Sequence, residues 1–220
     1  DTQDVSGTVL SRQEGTASED AVKTVITSFE GEYMQIPPMY SALKVNGQKL
    51  CDLARKGIEV ERKARPVTIH KIEILEIDLP RVRMKVECSK GTYIRTLCQD
   101  IGEKLGCGAC MESLLRTRVS EFRLDGALRL QQIEELVQRE DFSFVQSVDS
   151  VFMQYDSAQV MEIAKKMVEN GNRIPKEMIC NMCQEKEQKC IRLYDWENRF
   201  IGLYAYMPQE QDFKPIKLFI

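Results

Sequence analysis

The run Cys88-Ser-Lys-Gly-Thr-Tyr-Ile-Arg-Thr-Leu97 gathers residue types that recognise an anion or a planar base. After Gly91, Ile94, Leu97, Ile101 and Leu105 recur at helical spacing as far as Gly106. A glycine turn thus delivers Lys90, Thr92, Tyr93 and Arg95 from the end of a strand onto a helix N-terminus. Free N–H groups and the helix dipole favour negative charge there. A tyrosine and an arginine two residues apart offer an aromatic face for a base and a guanidinium for a carboxylate or phosphate. By residue chemistry alone, a packed tyrosine and a solvated arginine fit the same pattern.

Other reactive side chains are sparser. Cys107-x-x-Cys110 and Cys180-x-x-Cys183 have the pair spacing of a four-cysteine zinc site, but 69 residues separate the pairs, far beyond a zinc-ribbon gap. We therefore expect core or incidental thiols, and no metal. His70 is the single histidine and falls in a predicted strand, which gives Ser-His or Cys-His catalysis little support.

The elements that must position Tyr93 and Arg95 follow from periodicity. Ala21, Val22, Val25, Ile26 and Phe29 mark a helix over 18–30 with Ser18 as N-cap, which Gly31 should end. Pro37, Pro38 and Gly47 make 35–50 an extended arm or loop leading into a short helix over 50–56, closed by Gly57. Alternation over 65–77 and 81–88 predicts two strands, turned near Leu79-Pro80. A helix is expected over 131–139, then an irregular linker over 141–157. Beyond it we expect a helix over 158–170, and strands over 190–194 and 200–206 joined by a turn at Asp195–Asn198. The fold class is α+β, with residues 1–150 as one domain and 151–220 as a small second module.

The chain has 220 residues, 43% of them hydrophobic and 30% charged, as in an ordinary globular protein. No apolar run nears the roughly 20 residues that span a bilayer, and the first residues show no secretory signal. With dilute cysteines, this leads us to expect a reduced, cytoplasmic protein and no membrane partner. The net charge of −3 is unevenly distributed. Residues 40–71 hold eight Lys or Arg against three Asp or Glu, and 81–123 hold nine against five. Two basic blocks in an acidic chain are what a local polyanion site looks like.

The longer motifs QIPPMYSALKVNGQKLCDLARKGIEVERKARPV and ECSKGTYIRTLCQDIGEKLGCGA, with the opening DTQDVSGTV, closely resemble the TruB-type tRNA pseudouridine synthases. NGNRI, CIRLYDWENRFIGL and KPIKLF resemble, more loosely, that family's PUA-like RNA-binding module. The resemblance implies that 1–150 is the later part of a mixed-sheet catalytic domain and 151–220 a PUA-like module. It implies isomerisation of the T-loop uridine at tRNA position 55, with no metal or cofactor.

Carried over by motif, Tyr93 stacks on the flipped base and helps remove the C5 proton, and Arg95 pairs with the nucleophilic aspartate. Leu114 packs under the base, while Lys44, Lys90, Arg65 and Arg116 reach the RNA. Leu115 stands where the family usually has an arginine, and Cys51 where it has a tyrosine. The nucleophile's Gly-Thr-Leu-Asp-Pro type loop does not occur within 1–220. The expectation is therefore an N-terminally truncated synthase, inactive as given, with Arg95 freer, or holding a solvent anion, for want of its carboxylate. A non-catalytic tRNA-binding or folding-helper protein of the same descent is the alternative. The intact protein is expected to be a monomer with no obligate protein partner, and the fragment to self-associate through exposed sheet edges.

Overall fold

The computed structural model describes residues 1–13, 15–181 and 190–219. They form two compact units, Asp1–Leu115 and Arg116–Ile220. The α+β class holds in both.

In the first unit, α1 spans Glu19–Thr27, and Ser18 caps it by accepting from the Ala21 N–H at 3.3 Å. Val22 and Ile26 form its buried face. Ser28 is the cap residue after its last turn, and Gly31, at φ +104°, instead opens the strand β1 (Gly31–Gln35). The arm that follows contains a short hairpin, β2 (Lys44–Val45) and β3 (Gln48–Lys49). Asn46 and Gly47 turn it with positive φ, as a two-residue hairpin loop demands. Helix α2 is Leu50–Arg55.

Strands β4 (Arg65–Asp78) and β5 (Arg81–Cys88) make the expected hairpin, and β1 joins β4 to give an antiparallel sheet of order β1-β4-β5. Register irregularity between Ile69 and Lys71 leaves His70 exposed. It also moves the buried positions from odd numbers (Val67, Ile69) to an even one (Ile72), a phase change that strict alternation hides. Helix α3 (Ile94–Leu105) ends at Gly106 in the left-handed conformation, φ +76°. Ile69 and Ile72 of β4, Leu97 and Ile101 of α3, and the buried face of α1 form one core.

The second unit begins with a two-strand ribbon, β6 (Arg118–Val119) and β7 (Phe122–Arg123), and the helix α4 (Leu130–Gln138). The remaining strands are β8 (Asp156–Val160), β9 (Ile174–Pro175), β10 (Ile179–Cys180), β11 (Cys190–Tyr194), β12 (Phe200–Met207) and β13 (Asp212–Leu218). They form one mixed sheet of order β10-β8-β11-β12-β13-β9, parallel only between β8 and β11. The helix expected over 158–170 is corrected. Ala158 and Val160 both face the core with Gln159 between them, a strand pattern, and only Lys165–Glu169 (α5) is α-helical. Ala164 and Val168 continue the apolar series at helical spacing, which is why the two elements read as one. Tyr204, Phe213, Leu193 and Ile174 centre this core.

Candidate active site

The turn that presents Tyr93 is fastened to the sheet below it. Ser89 donates its N–H to Thr68 O at 2.8 Å, and its Oγ accepts from the Thr68 N–H at 2.9 Å. Thr92 Oγ1 donates to Ser89 O at 2.9 Å, while Gly91, at φ +91°, supplies the left-handed step. Tyr93 is the N-cap of α3, extended at φ −99° and ψ 107°, with no side-chain cap. Since Leu97 and Ile101 turn into the core, Tyr93 and Arg95 fall half-buried beside that face.

Three segments remote in sequence meet at this helix start. Gln35, at the end of β1 and 2% exposed, grips the Tyr93 peptide from both sides. Its Oε1 accepts from the Tyr93 N–H at 2.8 Å, and its Nε2 donates to Tyr93 O at 3.1 Å. Arg95 donates from Nη2 to Tyr40 O at 2.7 Å and from Nη1 to Thr2 O at 3.3 Å. Buried Thr96 donates from Oγ1 to Gln3 Oε1 at 2.8 Å. The DTQD opening, the QIPPMYSALK arm and the KGTYIRT turn are thereby tied to one another.

The opening is held from its other side as well. Met111 donates its N–H to Gln3 O and accepts at its carbonyl from Val5 N–H, both at 3.0 Å. The loop before Met111 lies so close to α3 that a Cβ on Gly102 would sit 2.1 Å from the Ala109 nitrogen. Only glycine fits there.

Behind Gln35 the polar chain continues. Gln35 Nε2 also donates to the Tyr33 hydroxyl at 2.5 Å, and Tyr33 lines the same cavity as the Asp100 carboxylate. Burial raises the Asp100 carboxyl above its ordinary range, Glu103 adds to the rise, and the Tyr33 bond opposes it. Burial likewise raises the Tyr33 hydroxyl, as does the Asp100 charge. A cavity of about 500 Å³ opens beside Tyr33, Asp100, Thr96 and Arg62. Its walls belong to this supporting chain rather than to the Tyr93 ring, so its size is no guide to where a base would sit.

The expected site residues divide accordingly. Tyr93 and Arg95 are adjacent and held. Two backbone carbonyls hold the Arg95 guanidinium. Arg65 pairs in register with Gln35 and is exposed, as are Lys90 in the turn and Lys44 in the β2–β3 hairpin. Leu114 is 55% exposed, whereas Arg116 begins the second unit. Among the described residues, no group of three or more His, Cys, Asp or Glu side chains could hold a metal ion, and Cys183 lies outside those residues. No helix of the described residues is long and apolar enough to cross a membrane.

Sequence reasoning missed Gln35, Tyr33, Gln3 and the support role of Asp100. One signal was available for Gln35: a polar residue in a strand-length run directly before two prolines, where a solvated side chain has no obvious partner.

Comparison with known proteins agrees with the motifs. Residues 1–94 match the family model of the TruB family pseudouridylate synthase N-terminal domain, and 95–158 that of the tRNA pseudouridylate synthase B C-terminal domain. The chain is 43% identical over 219 residues to tRNA pseudouridine synthase B of Alkaliphilus oremlandii, covering 99% of this chain and 72% of that protein. It is 44% identical over 218 residues to its counterpart in Clostridium acetobutylicum, covering 99% and 73%. The structure resembles a chain of a Cbf5-Nop10-Gar1 complex, with a TM-score of 0.66 and 23% identity over 95% of this chain and 64% of that one. A second similar structure, an H/ACA RNP bound to a substrate RNA containing 2′-deoxyuridine, gives 0.64 and 21%, covering 95% of this chain and 63% of that one. At that identity the likeness concerns the fold, and the chain spans less than two thirds of those solved chains. With both family models and close relatives in agreement, the chain belongs to the TruB family of pseudouridylate synthases.

Proposed function

We propose that the chain is part of a tRNA pseudouridine synthase that isomerises the T-loop uridine at position 55, and that Tyr93 and Arg95 line its uridine site. The observation that carries this reading is the convergence of three segments on the first turn of α3, where Arg95 spans Thr2 O and Tyr40 O and Gln35 clamps the Tyr93 peptide. A flipped base loses a few kcal/mol of stacking, so its pocket must return an aromatic face, here Tyr93. The ring's further role is to assist removal of the C5 proton. Arg95 has five N–H donors and its two carbonyl bonds occupy two, so a carboxylate can still be gripped. Such pairing keeps a partly buried carboxylate ionised and nucleophilic.

Leu114 is the residue under the base, while Lys44, Lys90, Arg65 and Arg116 meet phosphates. Residues 151–220 form the PUA-like module, whose sheet starts at Asp156. Residues 1–220 alone should not turn over. Asp1 and Asp4 belong to the DTQD segment and Asp100 lies within α3 after Tyr93, so none of them stands in the nucleophile's motif. The second reading, a tRNA-binding protein without catalysis, rests on the absence of the Gly-Thr-Leu-Asp-Pro loop within these residues.

A T-stem-loop RNA titrated at two salt concentrations, followed by assay for pseudouridine, tests the proposal. Expected are salt-sensitive binding and no product with residues 1–220, and product with the longer protein that carries the aspartate loop. Product from residues 1–220 would make one of their own aspartates the nucleophile. Binding without product from the longer protein would favour the second reading, and no binding by either would reject the site.

A further inference from the structure

The structure assigns Gln35 as a positioning residue that aims the Tyr93 ring by clamping its peptide; this rests on the proposed role of Tyr93 at the uridine. Among the described residues the Tyr93 hydroxyl makes no hydrogen bond and the ring no aromatic stack, so the ring takes its direction from its own backbone. That backbone is the N-cap of α3, where an N–H without a partner would otherwise be left. Gln35 supplies an acceptor to the N–H and a donor to the carbonyl, which also accepts from the Leu97 N–H at 3.0 Å.

The amide cannot be reversed. The Tyr93 N–H requires the oxygen, and the carbonyl requires the nitrogen. The remaining Nε2 hydrogen goes to the Tyr33 hydroxyl. Each link of Tyr33–Gln35–Tyr93 therefore fixes the orientation of the next. The chain runs from β1 to the start of α3, bracing that end of the helix against the sheet strand beside it. A buried amide with its donors and oxygen all engaged is rigid, and rigidity in a supporting residue is what holds a reacting group in place.

The test measures affinity for two T-stem-loop RNAs, one with uridine and one with an abasic site at the target position. Stacking on Tyr93 should make the wild-type chain prefer the uridine RNA by about fivefold or more. Gln35→Leu is expected to reduce that preference below about twofold while leaving abasic-RNA affinity, set by phosphate contacts, near wild type. It should also speed hydrogen exchange at the Tyr93 amide at least tenfold, since that N–H loses its acceptor.

Gln35→Glu is the second variant, equal to Gln in size. Read at a pH where it is ionised, it keeps the acceptor but sets an oxygen against the Tyr93 carbonyl, and should also lose the preference. A merely structural Gln35 would weaken both RNAs equally. That result, or an unchanged preference in both variants, overturns the assignment. Absence of any uridine preference in the wild type would instead overturn the reading of Tyr93 itself.

Discussion

The two units spend their buried polar side chains differently. In the first, Gln35 reaches Tyr93 across 58 residues of sequence and Thr96 reaches Gln3 across 93. In the second, buried Asp195 accepts from the Glu197 N–H at 2.9 Å, the Arg199 N–H at 2.8 Å and Arg199 Nε at 2.7 Å, all within four residues. Arg192, also buried, donates to Tyr155 O at 3.0 Å across 37 residues of sequence, the one long-range bond of this pair, and to the hydroxyl of neighbouring Tyr194 at 3.2 Å. One set sutures remote segments into a half-exposed site, and the other shapes a local turn and the edge of a closed core. A site built by long-range polar contacts should fail functionally before it unfolds, whereas a local turn should fail as a loss of stability with no chemistry attached.

Substitutions at five positions probe that contrast, from the largest expected effect to the smallest. Leu97→Ala empties a fully buried position behind the site and should cost the first unit ~2–5 kcal/mol in denaturant unfolding. Leu193→Ala should cost the second unit a similar ~2–5 kcal/mol, so at this scale the units look alike. Arg95→Met strips two charge-assisted bonds from backbone carbonyls that otherwise lie far apart in sequence. We expect a loss of ~2 kcal/mol in stability, discounted for partial exposure, and a larger proportional loss of T-stem-loop affinity measured by titration.

Asp195→Ala orphans the Glu197 and Arg199 N–H groups and should cost ~1–3 kcal/mol with target-loop binding unchanged. Burial alone would raise the Asp195 carboxyl, but the bonds from Arg199 and Glu197 outweigh it and hold it below the ordinary range. Its stabilisation is therefore complete above the unfolded value, about 4, and lost as pH falls through the lower folded one. A pH series on wild type and Asp195→Asn should show their difference shrinking in acid.

Asp100→Asn should have the smallest effect, with stability at pH 7 unchanged or raised. Burial raises the Asp100 carboxyl, so stability is fully present below the unfolded value and declines as pH climbs through the folded one. The asparagine keeps an acceptor for Tyr33 and should abolish that decline, which unfolding at pH 3 to 8 would reveal.

The same contrast explains what could be read from the residues. Ser18 with the apolar spacing of α1, the β4–β5 alternation and the Gly91 turn into α3 are local patterns, and they appear where expected. The Asp195–Asn198 turn is local too. The β8–α5 stretch misled because Ala158, Val160, Ala164 and Val168 are compatible with two periods, and only pairing with β11 decides for a strand. Tyr93 and Arg95 stood out through their motif. Gln35 did not, because its partner depends on where β1 lies against α3. The grip on Arg95 was hidden for the same reason: backbone carbonyls of Thr2 and Tyr40 leave no mark in residue type.

The central claim is that the target loop of the RNA meets the first unit at the start of α3, and hydrogen–deuterium exchange on residues 1–220 with and without T-stem-loop RNA tests it most directly. The account predicts protection concentrated at 2–4, 35–44 and 90–96. Protection centred on the sheet of 156–219, with those three segments unchanged, would contradict it.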